Sequence, residues 1–209
     1  YFWRIKIAAI QYVHTRFPEQ DLLYIDTDTF LFGKLATLKR ALLIGNTLMH
    51  VKELEISKMK AKTGKVMWNQ LRDKYYADIL VDHSIAMWNA GVVGLPKDDA
   101  NTILEDALMI CDKMCAEQVR PKLIEQLSLS MALNKNGKLT PANTSIGHYW
   151  GNKDGWNSLI ANFLNKNYLL NQDLDNLIYN IEQVDWNAIP IYIRHSNAKE
   201  KALKKVASF

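Results

Sequence analysis

The stretch from Leu22 to Phe32, LLYIDTDTFLF, constrains the fold more than any other part of the chain. Leu22, Leu23, Tyr24 and Ile25 form a continuous apolar run, bounded upstream by Phe17, Pro18, Glu19, Gln20 and Asp21, which reads as a buried strand. It predicts an α/β chain with a mixed, mostly parallel central sheet flanked by helices. Asp26 and Asp28 follow at the strand's C-terminal end, the edge where open α/β sheets bind their ligands. With Thr27 between them, two carboxylates can face one hard cation, Mg²⁺ or Mn²⁺, whose other positions take water or phosphate oxygens. Asp26-Thr27-Asp28-Thr29 reads equally as a plain turn, and this run of residues leaves both readings open.

A chain of 209 residues, 48% of them hydrophobic, can bury one substantial core. Its net charge of +4 comes from scattered basic residues, which argues against a nucleic-acid partner. No apolar run reaches bilayer length and no signal peptide opens the chain, so a cytoplasmic protein is expected. Cys111 and Cys115 stand four apart in a helical pattern, poor geometry for a bridge, and reduced thiols fit that compartment. The chain opens on Tyr1-Phe2-Trp3, partway into a helical pattern, and is expected to lack an upstream part.

Phe2, Ile5, Ala9 and Val13 recur at helical spacing, with Ile10 and Tyr12 widening the face, so a helix is expected over 3–15. Arg4 and Lys6 near its start are either solvated charges or groups that reach a phosphate or sugar. A short helix is expected around Leu35 to Leu42 and a second strand over 43–46. The span 49–76, rich in Lys, Glu, Met and Leu, reads as amphipathic helices broken near Gly64, inserted beside the cleft. Met49, His50 and Glu53 either line that cleft or are ordinary packed or surface residues, the commoner case for a lone histidine.

Ser84 to Pro96, SIAMWNAGVVGLP, is a buried strand pattern interrupted by Asn89-Ala90-Gly91. Such an interruption marks a bend or the close approach of a ligand, and Asn89 carries donors and an acceptor for hydroxyl groups. Helices are expected over 97–117 and from Leu123 to Leu133, the second with Glu125-Gln126 at its positive end. Thr144 to Trp156, TSIGHYWGNKDGW, adds His148, a glycine turn at Gly151, and Lys153. A neutral imidazole from a distant loop is a chemically suitable further ligand for Mn²⁺.

The order of these pieces resembles the GT-A class of nucleotide-sugar glycosyltransferases, in particular glycosyltransferase family 8 and its relatives. The pieces are Tyr24-Ile25-Asp26-Thr27-Asp28-Thr29, Trp88-Asn89-Ala90-Gly91-Val92, Glu125-Gln126-Leu127, and His148-Tyr149-Trp150-Gly151 followed by Lys153 and Trp156. The resemblance implies a GT-A-like, Rossmann-like catalytic domain over 1–156, lacking its first nucleotide-binding strand, with 157–209 as a helical extension packed on it. It implies transfer of a hexosyl-type sugar from a nucleotide-diphosphate donor, with UDP-sugars favoured, to a glycan or lipid-linked acceptor in polysaccharide biosynthesis. Asp26, Asp28 and His148 would hold the metal. Arg4, Thr27, Trp88, Asn89, Ala90, Gly91, Glu125, Gly151 and Lys153 would border the donor. Lys153 would also stabilise the leaving diphosphate, and Gln126, a poor nucleophile, would position the reacting sugar. The family's acidic-Gln-Asp triplet ends here in Leu127, and Lys153 follows His148 one residue sooner than in the family.

Two other classes fit parts of the pattern: a haloacid-dehalogenase-type phosphatase, whose first Asp would be the nucleophile, and a non-catalytic binding fragment of a transferase. The phosphatase motif ends in Thr or Val where this chain has Phe30. Helices are also expected over 159–170 and 174–184, a short apolar run over 189–193, and a basic amphipathic helix over 197–209. Lys199, Lys201, Lys204 and Lys205 on the last are either a solvated face or a contact with the inner face of a membrane.

Overall fold

In the computed structural model, which describes residues 2–120, 122–186 and 188–190, Leu22–Ile25 is a strand (β1) preceded by helix α1 (Arg4–Arg16). The chain continues through β2 (Thr29–Leu31), α2 (Leu35–Leu43), β3 (Asn46–Met49) and β4 (Lys52–Glu55). A single 3₁₀ turn, α3 (Lys62–Leu71), and the small hairpin β5 (Tyr75–Tyr76) and β6 (Ile79–Leu80) follow. Then come β7 (Ala86–Trp88), β8 (Val92–Leu95), α4 (Ala100–Ala116), α5 (Ile124–Asn136), β9 (Lys138–Pro141), β10 (Ile146–His148), α6 (Lys153–Leu169) and α7 (Leu174–Glu182). The chain is therefore mixed α/β. It divides into two compact units, Tyr1–Ile146 and Gly147–Phe209.

The first unit is built on a four-stranded sheet in the order β1-β8-β3-β9. Its β1–β8 and β3–β8 ladders are antiparallel and only β3–β9 is parallel, so the mostly parallel ladder arrangement expected from the apolar runs is not what forms. Strand β8 runs against its neighbours, which brings its N-terminal end beside the C-terminal ends of β1 and β3. Both faces are covered, as a continuous apolar strand requires. On one face Leu22, Tyr24, Met49, Val93 and Leu95 pack with α1, α4 and α5; on the other Leu23, Leu48 and Val92 pack with Leu38 and Leu42 of α2.

Four sequence expectations are corrected. Helix α1 buries Ile7, Ile10 and His14, while Phe2, Ile5, Tyr12 and Val13 are exposed; apolar residues surround most of this helix, so their spacing did not single out the inner face. The second strand lies at Asn46–Met49 rather than at 43–46, and the span taken for helices contains β4. Lys52-Glu53-Leu54-Glu55 has helix-forming composition, and pairing with β7 overrides it. Gly64 does not break its helix: it is buried within α3, where a Cβ would overlap Met59.

In the second unit Asn152 and Asp173 cap α6 and α7 through Gly155 N–H and Asn176 N–H, and Asn180 Nδ2 donates to Asn167 Oδ1 at 2.8 Å between the two helices. Trp156 stacks on Trp186 with ring centroids 6.3 Å apart. Among the described residues no helix is long and apolar enough to cross a membrane. Residues 191–209, and with them the basic helix expected over 197–209 and most of the apolar run, lie outside the described residues.

Candidate functional site

Asp26 leaves β1 beside Gly91, whose carbonyl accepts the Asp26 backbone N–H at 2.8 Å. Asp26 to Thr29 then does form a turn, closed by the Thr29 hydroxyl donating to the Asp26 carbonyl at 2.7 Å. Within this turn Asp26 and Asp28, both half-buried, offer carboxylate oxygens to a common side, with Thr27 exposed. Further along, Phe32 and Gly33 N–H both donate to the Ser145 carbonyl, at 3.0 and 3.1 Å, which pins the entry to β10 beside the exit from β2. Three residues after Ser145 the chain reaches the buried His148. Asp26, Asp28 and His148 each offer one ligand atom, and these atoms lie within 4.8 Å of one another.

That donor set passes a geometric test. Ligands bonded to one ion at roughly 2.1 to 2.2 Å lie about 3 Å apart when adjacent and about 4.3 Å when opposite, so the three groups would draw together to share it. Two carboxylate oxygens and one imidazole nitrogen suit Mn²⁺ or Mg²⁺ with further positions left for other ligands.

Of the two cations the sequence offered near the start of α1, Lys6 is the one that reaches the acidic edge. Its ammonium lies 3.2 Å from Asp26 Oδ1 and 3.4 Å from Glu125 Oε1, and donates to the Ala90 carbonyl at 3.2 Å. Arg4 instead forms a bidentate pair with Asp112 on α4, with Nη2 to Oδ2 at 2.8 Å. The Arg4 and Asp112 side chains remain exposed, whereas Lys6 is largely covered. The Tyr24 hydroxyl donates to Asp26 Oδ1 at 2.6 Å, and burial followed by this bond raises the phenol well above its ordinary value, keeping it a donor. Glu125, buried in the first turn of α5, is pushed up by desolvation and held down by Lys6. Asp26, Asp28 and Glu125 against Lys6 leave a formal double negative charge for a divalent cation to neutralise.

Asn89, Ala90 and Gly91 form the crossing from β7, which pairs with β4, to β8 in the main sheet. Asn89 is buried; its Nδ2 donates to Glu53 at 3.3 Å and its Oδ1 accepts the Gly91 N–H at 3.0 Å. Trp88 N–H donates to Ser130 Oγ at 3.0 Å. Gln126 Nε2 donates to the other Glu53 oxygen at 3.2 Å, so one carboxylate joins two of the sequence motifs. His50 packs inward, with Nε2 3.1 Å from the Ile146 carbonyl. Gly151 and Lys153 belong to the second unit, Lys153 as the first residue of α6. Cys111 is buried and Cys115 half-buried, both as free thiols. Compared with known proteins, the chain matches no protein-family model and no curated protein sequence.

Proposed function

We propose that the chain is the metal-assisted catalytic part of a glycosyltransferase with a GT-A-like fold, which moves a sugar from a nucleotide-diphosphate donor to an acceptor hydroxyl. The observation that carries this reading is the approach of Asp26, Asp28 and His148 to within 4.8 Å beyond the end of β1. When bound there, a divalent cation supplies charge neutralisation for a diphosphate leaving group. The chain's own groups do the positioning. Tyr24 and Lys6 hold the Asp26 carboxylate from one side, and Lys6 ties it to Glu125 and Ala90. Asn89 and Gly91 border the same edge, with Asn89 Oδ1 committed to Gly91 N–H. Gln126, an amide, positions and does not attack. Gly151 and Lys153 are assigned to the diphosphate on the resemblance alone.

The test is to titrate the protein with Mn²⁺ and a panel of nucleotide sugars, following donor binding and slow donor hydrolysis. Metal-dependent binding that is lost in Asp28→Asn supports the reading. Undiminished donor turnover by Asp28→Asn, or turnover indifferent to chelator, removes it.

A further inference from the structure

Glu53 lies on β4, a strand the composition disguised as helix, and it meets two residues from other parts of the chain. One carboxylate oxygen accepts Asn89 Nδ2 at 3.3 Å and the other accepts Gln126 Nε2 at 3.2 Å. An ionised carboxylate has no proton to give, so each amide must turn its NH₂ toward Glu53. The Asn89 orientation has independent support, since its Oδ1 accepts the Gly91 N–H. For Gln126 the consequence is chemical: its planar amide turns Oε1 away from Glu53, in a side chain that is only half-buried.

We propose that Glu53 is a positioning residue which locks the amides of Asn89 and Gln126, so that Gln126 offers its ligand an acceptor and thereby selects a hydroxyl group. This selectivity rests on the transferase reading above, whereas the clamp itself does not. A lone amide can rotate to offer either its NH₂ or its oxygen and so accept ligands of either kind. Held by Glu53, Gln126 presents Oε1 as a fixed acceptor for a sugar hydroxyl, and of its two N–H donors one is committed to the carboxylate. Sites built to bond a hydroxyl reject analogues lacking it far more strongly than apolar pockets reject a missing methylene, because a polar group is left unsatisfied. Crowding around the carboxyl raises Glu53 above the usual glutamate value although the residue keeps solvent contact, and the two amides oppose that rise by bonding the charged form.

The experiment has two readouts. The first is the side-chain amide NMR signals of Asn89 and Gln126 in the intact chain, assigned by their loss in Asn89→Leu and Gln126→Leu. Both pairs shift in Glu53→Ala. In Glu53→Gln, where the new amide can accept from one neighbour but must donate to the other, only one retains its position, and Glu53→Asp partly restores both. The second is the ratio of affinities, with Mn²⁺ present, for a nucleotide sugar and its deoxy analogues, which falls by at least about tenfold in Glu53→Ala for one hydroxyl. Amide signals unmoved in both Glu53→Ala and Glu53→Gln overturn the clamp. Amides that respond while every hydroxyl preference stays intact overturn the selectivity. If the amides respond but the unsubstituted protein binds no nucleotide sugar, the transferase reading falls and the clamp stands.

Discussion

The backbone N–H of Asp26 donates to the carbonyl of Gly91 at 2.8 Å, one step beyond the Ile25–Val92 pair that ends the β1–β8 ladder. Only an antiparallel ladder permits this contact. In a parallel pairing the end of β1 would face Leu95, and Asn89 to Gly91, which precede β8, would fall at the opposite edge of the sheet. The reversal of β8 is what joins the Asp pair to the Asn-Ala-Gly crossing. The same reversal places His50 there, since its N–H donates to the Asn89 carbonyl at 3.1 Å.

Lys6 is expected to matter to stability far more than Arg4. The Lys6 side chain is 14% exposed and its partner Glu125 8%, against 41% for Arg4 and 51% for Asp112. Lys6→Met leaves two carboxylates without their shared cation and should cost on the order of 2 kcal/mol, short of a fully buried pair because Asp26 keeps some solvent. Arg4→Met should cost about 1 kcal/mol or less. Urea unfolding of both variants decides the matter, and equal losses would mean that Lys6 is merely a surface charge.

Glu125 gives the fold a pH signature. Desolvation raises its carboxyl above the ordinary 4.5, so the native state takes up this proton before the unfolded chain does. Its stabilising contribution is fully present below pH 4.5 and is lost as pH rises through the raised value. The stability of the unsubstituted protein relative to Glu125→Gln should therefore grow as pH falls from neutrality toward 4.5, and Lys6→Met should begin that growth at higher pH. Measuring the difference between variants cancels the exposed carboxylates with lowered values, such as Glu55 and Asp82, which act in the opposite direction. A pH-independent difference would show that Glu125 is not desolvated in solution.

Packing at the centre of the sheet can be perturbed without touching the acidic edge. Gly94 on β8 is paired with Leu23 on one side and Leu48 on the other, and a Cβ there would come within 2.7 Å of Leu48 Cβ. Because that neighbour is the root of a fully buried side chain, it has little room to yield. Gly94→Ala should lose about 1 to 3 kcal/mol by overpacking, with metal binding of the folded fraction unchanged. Thermal unfolding beside Mn²⁺ titration tests both halves, and an unaltered midpoint would mean the sheet opens easily at this position.

Legibility followed how strongly each feature was local. The β1 run with its Asp pair, the long amphipathic α4, and α5 with Glu125-Gln126 at its start could all be read, because their apolar spacing lies within one segment. The inner face of α1 could not, since Ile5, Val13, Ile7 and Ile10 offer two apolar stripes and only the tertiary fold chooses between them. Strand β4 and the direction of β8 depend on partners more than thirty residues away, which no local pattern encodes. Lys6 was named beside Arg4, but with the inner face of α1 unread nothing local chose between the two cations. The Glu53 clamp was not readable, because it joins three segments that meet only after folding.

The last prediction concerns which ion the acidic edge prefers. Asp26 and Asp28 supply hard oxygen atoms that serve Mg²⁺ and Mn²⁺ alike, so the nitrogen of His148 is the ligand that separates them. Imidazole bonds the transition metal more strongly than it bonds Mg²⁺, which dehydrates reluctantly and favours oxygen. His148→Ala should accordingly weaken Mn²⁺ binding by about 10- to 100-fold, no less than the loss seen when outer-shell partners of metal ligands are removed. Mg²⁺ binding should fall much less, so the ratio of the two affinities narrows. Calorimetric titration with each ion, repeated on Asp28→Asn, separates the effects: the Asp substitution lowers both affinities together, whereas the His substitution changes their ratio. If His148→Ala leaves that ratio as it was, His148 is no ligand, and the site reduces to two carboxylates beside Lys6.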